Sequence, residues 1–246
     1  MIRRLLALMM LAFAPATVWA DGTCRDVTFE GLPYTVCEAS PGADVRLFLN
    51  GASGANLGSF EAVNRALAPE DRALVFAMNG GMYHPDRAPV GLYIENGQST
   101  QGLVTTSGGG NFGLVPNGVF CVRDDGGFAV IETRAFAANP PACRFATQSG
   151  PMLVIDGALH PRFLANSDSL YIRNGVGVAP DGRALFAISG RAVNFHTFAR
   201  FFRDALGTPD VLYLDGSISR LFAPELRRND FGFAMGPIIG LVAPRQ

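Results

Sequence analysis

The sequence predicts an α+β fold in a single domain: a mixed or antiparallel sheet built from hairpins, with a few packed helices. Three observations carry this. Short β-branched and aromatic runs alternate with Gly, Pro, Asn and Asp turn signals along most of the chain. Only two or three stretches have helical spacing. No linker, low-complexity tract or fixed-period repeat divides the 246 residues. With 29 Gly, 16 Pro and 19 Phe, the composition implies tight turns and a phenylalanine-rich core rather than a helical bundle.

The first element is an address. Arg3 and Arg4 precede an apolar run from Leu5 to Ala14, too short to span a bilayer comfortably. Val18-Trp19-Ala20 then supplies small residues at the positions a signal peptidase reads. This predicts a signal peptide over 1–20, cleaved between Ala20 and Asp21, and a domain over 21–246 that is periplasmic or secreted. The alternative, an uncleaved anchor, usually has a longer run. No stable membrane insertion is expected after cleavage.

Cys24, Cys37, Cys121 and Cys143 all fall in the mature chain. An even count in an oxidising compartment argues for two disulfides. Three connectivities exist, and sequence order favours the local closures Cys24–Cys37 and Cys121–Cys143. No CxxC, HxxxH or HxH spacing suggests a metal site, and no cofactor motif stands out.

Residues 25–50 read as strands, with Cys24–Cys37 clamping the first hairpin. Phe60, Val63 and Leu67 mark a helix. "RALVFAMNGG" is a buried strand ending at Gly80-Gly81. Hairpins are expected around Asn96-Gly97, Asn117-Gly118, Asp125-Gly126-Gly127 and Pro180-Asp181-Gly182. In the clearest helix, Phe195, Phe198, Phe202 and Leu206 form a stripe that Gly207 stops. It leads into the strand "DVLYLD", and this one βαβ step predicts locally parallel strands. "GFAMGPIIGLVAP" is the last strand.

Several polar residues stand at the tips of apolar strands beside glycines: Asn79 before Gly80, Ser149 before Gly150, Arg173-Asn174 before Gly175, and Asp215 before Gly216-Ser217. A buried strand fixes its tip, and a neighbouring glycine lets a ligand approach the backbone. Four such tips suggest one pocket. Asp215 is the sharpest, because an unpaired carboxylate after "VLYL" is expensive. Arg173 is the best anion partner, with a planar fork suited to a phosphate or carboxylate. His84 lies in the polar loop "NGGMYHPD", His160 is expected at the surface, and His196 reads as structural. "SGGGN" at 107–111 lacks a P-loop ending and reads as a plain loop or a flap. Ser149 and Ser217 are possible nucleophiles outside any GxSxG elbow.

Five blocks, "FAMNGGMYHPDRAPVGLYIENGQ", "ATQSGPMLVIDG", "YIRNGVGVAPDG", "VNFHTFARFFRDALGTPDVLYLDGSIS" and "FGFAMGPIIGLV", resemble the phosphodiester glycosidase domain family in the same order. That family includes the lysosomal uncovering enzyme, which removes N-acetylglucosamine from a phosphodiester. The likeness is greatest to an exported bacterial branch related to exopolysaccharide biosynthesis. It implies an α+β fold with a cleft lined by Asn79, Ser149, Arg173, Asn174 and Asp215, beside Gly80, Gly81, Gly150 and Gly216. Tyr83 and His84 belong to the branch's own loop. Many relatives carry Gly-Gly after the aspartate, where this chain has Gly216-Ser217, so the sugar is not read from the resemblance.

The implied reaction is hydrolysis of a sugar-1-phosphodiester. Asp215 would be nucleophile or base and Arg173 the phosphate grip. Asn79, Asn174 and Ser149 would bond sugar or phosphate oxygens. A non-catalytic binding module for anionic glycans and a serine-dependent periplasmic hydrolase are the alternatives. The implied partner is a small-molecule or glycan phosphodiester. Nucleic acid is not expected, since twenty basic residues, all Arg, are balanced by twenty-one acidic ones. Intact-mass measurement on the exported protein is expected to find Asp21 as the first residue. Retention of residues 1–20 would refute the cleavage.

Overall fold

The computed structural model describes residues 22–245. The expected signal peptide and its cleavage point lie outside them. Three sheets make the body, and every strand pair in them is antiparallel. The first sheet has the order Cys24–Phe29, Leu32–Ala39, Ala184–Ser189, Asn174–Val178, Asp210–Asp215, Met152–Ile155, Ala158–Leu159. The second runs Arg228–Asn229, Leu221–Ala223, Arg72–Asn79, Ile238–Pro244, Val45–Phe48. The third runs Gln98–Gln101, Tyr93–Glu95, Cys143–Ser149, Gly118–Arg123, Phe128–Glu132.

The sheets share one core, and phenylalanines weld it. Phe76 of the second sheet lies 5.3 Å from Phe186 of the first, which lies 5.7 Å from Phe120 of the third, centroid to centroid. All three rings are fully buried. Edge-on and tilted contacts of this kind add to the area that each ring removes from water.

Helices back the outer faces. Phe60–Leu67 starts at Ser59, whose hydroxyl accepts from the Ala62 N–H, and buries Phe60, Val63 and Leu67 as the spacing requires. A second helix, Thr133–Ala138, is capped by the Glu132 carboxylate accepting from Arg134 and Ala135. At six residues it is too short to reveal a period in sequence. The third, Phe195–Arg200, widens at Phe201–Ala205 into a looser turn in which the Leu206 N–H reaches the Phe201 carbonyl. That widening lets Phe201 and Phe202, adjacent in sequence, both enter the core. The simple stripe does not contain Phe201.

The βαβ step also differs from expectation. Ala184–Ser189 and Asp210–Asp215 do run in one direction, but Asn174–Val178 lies between them and pairs antiparallel with both. The helix therefore crosses over a hairpin partner already in place, and no parallel ladder forms.

Both local disulfides are made, Cys24–Cys37 across directly opposed positions of the first hairpin and Cys121–Cys143 across neighbouring strands. No helix among the described residues is long and apolar enough to cross a membrane. Replacing Cys121 and Cys143 together by Ser should cost about 3 kcal/mol, the loop-closure entropy of a ring of this size. Denaturant unfolding reads this. An unchanged midpoint would contradict it.

Candidate functional site

Each sheet delivers a strand end to one place. Asn79 ends Arg72–Asn79, Ser149 ends Cys143–Ser149, and Asn174 faces Asp215 across the first sheet. Asn79 and Asn174 clasp each other: the Asn79 amide donates to Asn174 Oδ1 at 3.1 Å, and the Asn174 amide returns bonds to Asn79 Oδ1 and to its carbonyl at 3.1 and 3.0 Å. The Arg220 backbone N–H donates to Asn79 Oδ1 as well. Both asparagines are wholly buried. Amides at this depth must be satisfied internally, and here they satisfy each other. They join the first sheet to the second.

Ser149 has an equally structural task. Between the Asn174–Asp215 and Gly175–Tyr213 pairs, the strand Asp210–Asp215 carries one extra residue, Leu214. This bulge breaks the ladder and redirects the chain beyond it. The Ser149 hydroxyl donates to the freed Leu214 carbonyl at 3.0 Å. Ser149 is fully buried, which withdraws it from the role of nucleophile. Gln148, also buried, fixes the loop at Val104: its Oε1 accepts from Leu92 and Val104 N–H, and its amide donates to the Val104 carbonyl and to Thr133.

Beyond the bulge, Asp215 turns into a cleft of about 420 Å³, lined by Met82, Tyr83, Val90, the 109–112 loop, Asp215, Ser217 and Ile218. Asp215 Oδ1 accepts from the N–H groups of Gly216 and Ser217 at 2.6 and 2.9 Å. Oδ2 accepts no hydrogen bond of ordinary geometry from the described residues. Burial raises the pKa of this carboxyl, against the N–H groups of Ser217, Gly216 and Ile218, which favour its ionised form. Tyr83 is raised too, by its own burial and then by the Asp215 charge, with Arg87 and Arg220 opposing. Neither of those arginines takes part in an ion pair among the described residues.

A larger cavity of about 690 Å³ lies across the 82–90 loop, between Asn50, Asn56, Arg87, Glu95 and Gln101. Its half-buried carboxylate, Glu95, already accepts from the Tyr93 hydroxyl at 2.8 Å. None of the strand tips reaches it, so the smaller cleft is the better candidate.

Arg173 departs from expectation. Its side chain is fully buried and does not line the cleft. Nε donates to the Val193 carbonyl at 2.8 Å, one terminal nitrogen to the Ser169 carbonyl at 2.8 Å and the other to the Tyr213 hydroxyl at 3.1 Å. The guanidinium lies 3.8 Å from the centre of the Phe195 ring, with Tyr171 and Tyr213 also facing it. Aromatic faces and carbonyls stabilise its charge in place of a carboxylate. It acts on the site from behind. Through Tyr213 it supports Gly216, where an added Cβ would sit 2.0 Å from the Tyr213 hydroxyl.

The other expected residues divide. Tyr83 and Ser217 line the cleft, whereas His84 is exposed and outside its lining. Gly80, Gly81 and Gly150 are buried where a Cβ would strike Ile239, Thr147 and Asn117, so they serve close chain packing. His160 is buried, not at the surface, with Nε2 3.2 Å from the Val115 carbonyl and its pKa lowered by burial. The glycine-rich 107–111 segment supplies cleft wall through Gly109, Gly110 and Asn111. Sequence reasoning missed Ser219, Arg220 and Ile218. Ser219 Oγ lies 2.9 Å from the carbonyls of Ile172 and Asp215. Their signal was only that they come directly after Asp215.

Residues 72–234 match the family described as phosphodiester glycosidase, NAGPA. The uncharacterized protein YigE of Escherichia coli (strain K12) is 39% identical over 203 residues, 82% of this chain and 78% of that one. Among solved structures, the catalytic domain of zebrafish N-acetylglucosamine-1-phosphodiester alpha-N-acetylglucosaminidase, auto-inhibited by its pro-peptide, superposes at a TM-score of 0.59. The identity is 16%, over 90% of this chain and 82% of that one. A hypothetical protein from Synechocystis gives a TM-score of 0.56 at 15% identity, over 90% of this chain and 62% of that one. The chain belongs to the phosphodiester glycosidase family. The two structures share its fold.

Gly216→Ala should destabilise the chain by about 2 kcal/mol through the clash with Tyr213. Adding Tyr213→Phe removes the oxygen and should recover part of that loss. Thermal melts of the single and double variants test this. No recovery would mean that Tyr213 does not support the turn.

Proposed function

We propose that the chain is an exported hydrolase that cleaves the glycosidic bond of a sugar-1-phosphodiester in the cleft beside Asp215. One observation carries the reading: in a member of this family, a buried carboxylate at a cleft is fixed through one oxygen by backbone N–H groups. Such a group is oriented before substrate arrives.

The chemistry suits a single carboxylate. The leaving group is a phosphate monoester, a stable anion that needs little protonation, so a second carboxylic acid is dispensable. As base, Asp215 takes a proton from water while the water oxygen bonds to the anomeric carbon. The carbon–oxygen bond to phosphate breaks, and its electron pair leaves with the phosphate. As nucleophile, Asp215 Oδ2 would form that bond as the bond to phosphate breaks. Water would then attack the same carbon, the bond to Oδ2 would break with its electron pair returning to the carboxylate, and the water proton would pass to the released phosphate monoester. Arg173 is reassigned from phosphate grip to positioning residue, because its donors are engaged behind the site. Arg220, whose backbone N–H is bonded to Asn79 and whose charge acts on Tyr83, is the cation suited to the phosphate; Arg87 lines the larger cavity. Asn79, Asn174 and Ser149 support the floor without touching the sugar. The two disulfides favour an oxidising compartment and agree with export.

Asp215→Asn should lower kcat on a chromogenic sugar-1-phosphodiester about a thousandfold, within the range of a lost acid–base group. In the wild type, activity should rise with pH through a limb above the usual aspartate value of about 3.9, because burial raises the Asp215 pKa. Near-normal turnover of the variant would defeat the proposal. The stability sign is opposite. A raised folded-state pKa means stability is present in acid and is lost as pH climbs through that pKa. The variant should therefore melt at or above the wild-type temperature at neutral pH, with the gap closing below about pH 4.

A further inference from the structure

We infer that the aglycone this cleft accepts is apolar: the substrate class is a sugar-1-phosphodiester whose phosphate esterifies an alkyl or lipid alcohol. This rests on the reading of Asp215 as the catalytic carboxylate, and it adds the group on the far side of the phosphate.

The inference comes from the 231–236 segment. Phe231 is 94% exposed and Phe233 79% exposed, in a chain whose other phenylalanines are mostly buried. Two bare rings so close together cost solubility and are unusual without a task. The segment carrying them is not a loose loop. Met235 is buried, and its N–H donates to the Gly58 carbonyl at 2.9 Å. Gly236 packs so closely on Tyr83 that a Cβ there would sit 2.5 Å from the ring. The Tyr83 hydroxyl faces the Ala234 carbonyl at 3.5 Å. The exposed rings are thus borne by a segment anchored to the cleft wall that Tyr83 provides.

A cation ties the site to the same segment. The Arg220 backbone is bonded to Asn79 at the floor of the site. Its guanidinium reaches the 231–236 segment, where it donates to the Phe233 carbonyl and lies against Gly232. Tyr83 of the cleft wall and Arg220 beside Asn79 both touch the segment that bears Phe231 and Phe233. A ligand with a sugar at the carboxylate, an anion at the arginine and an apolar chain on the rings would engage all of these groups. A second sugar as aglycone would instead call for side-chain hydroxyls and amides where the phenylalanines stand.

The test uses the full mature chain and reads binding and turnover separately. In titration calorimetry below the micellar concentration, octyl phosphate should bind at least tenfold tighter than methyl phosphate. Phe231→Ser with Phe233→Ser should reduce that ratio to about two. For turnover, octyl and methyl esters of one sugar-1-phosphate are compared, and the kcat/KM ratio should show the same pattern. Equal binding of the two phosphates overturns the inference, as does a preference for octyl that survives in the double variant. Sedimentation with phosphatidylglycerol vesicles without any octyl preference also overturns it, and assigns the rings to a membrane surface. Hydrolysis of the methyl ester with no chain-length effect would refute the apolar aglycone and leave the proposed chemistry standing. Octyl preference in binding with neither ester hydrolysed would keep the subsite and defeat the chemistry.

Discussion

A carboxylate at the end of an apolar strand has to find hydrogen bonds in whatever the chain can put there. For Asp215 the answer is backbone: the Gly216 and Ser217 N–H groups take one oxygen, and the other is left at the cleft. Much of the neighbouring structure serves to hold that turn in place. Leu214 bulges so that the strand can turn, Ser149 satisfies the carbonyl the bulge frees, and Tyr213 lies close under Gly216. All three sheets meet at this point, with their shared core behind it.

Two buried polar devices hold the junction. The Asn79–Asn174 clasp ties two sheets through paired amides that are wholly buried. Arg173 is the other. A cation sunk among Phe195, Tyr171 and Tyr213, with carbonyls on its donors, fixes the 169–173 and 193–195 segments to the strand that leads to Asp215. Removing either partner of such a contact leaves a buried polar group unanswered, a larger cost than the contact is worth. Residue types that suggest ligand contact in a sequence can therefore be used up in architecture.

The fold was largely legible. Turn chemistry marked the hairpins at Asn96-Gly97, Asp125-Gly126-Gly127 and Pro180-Asp181-Gly182, but Asn117-Gly118 enters a strand from a long loop and makes no hairpin. Phe60, Val63 and Leu67 marked a helix, and the spacing of the cysteines matched the pairs that form. Of the tips expected together, 79, 149 and 215 do meet, because a buried strand with a polar last residue needs somewhere to present it, but Arg173 is enclosed behind them and outside the cleft. Less legible were Phe201, which enters the core only because the helix widens, and His160, whose burial depends on a carbonyl 45 residues away at Val115. The order of strands in a sheet was hidden as well, since Asn174–Val178 fits between two strands that the crossover helix connects.

By itself the sequence determined which residues are apolar, where the chain turns and which strand ends carry polar groups, because these depend on neighbours within a few positions. Only the tertiary structure decided which polar groups face the cleft and which are enclosed. Arg173 and Arg220 look alike along the chain; one is surrounded by aromatic rings and the other lies at the rim. The physical reason is that a hydrogen-bond donor is free for a ligand only when no acceptor reaches it first: the Val193 and Ser169 carbonyls and the Tyr213 hydroxyl take all three Arg173 nitrogens, whereas the Phe233 carbonyl takes one of Arg220's, and a one-dimensional pattern does not contain those distances.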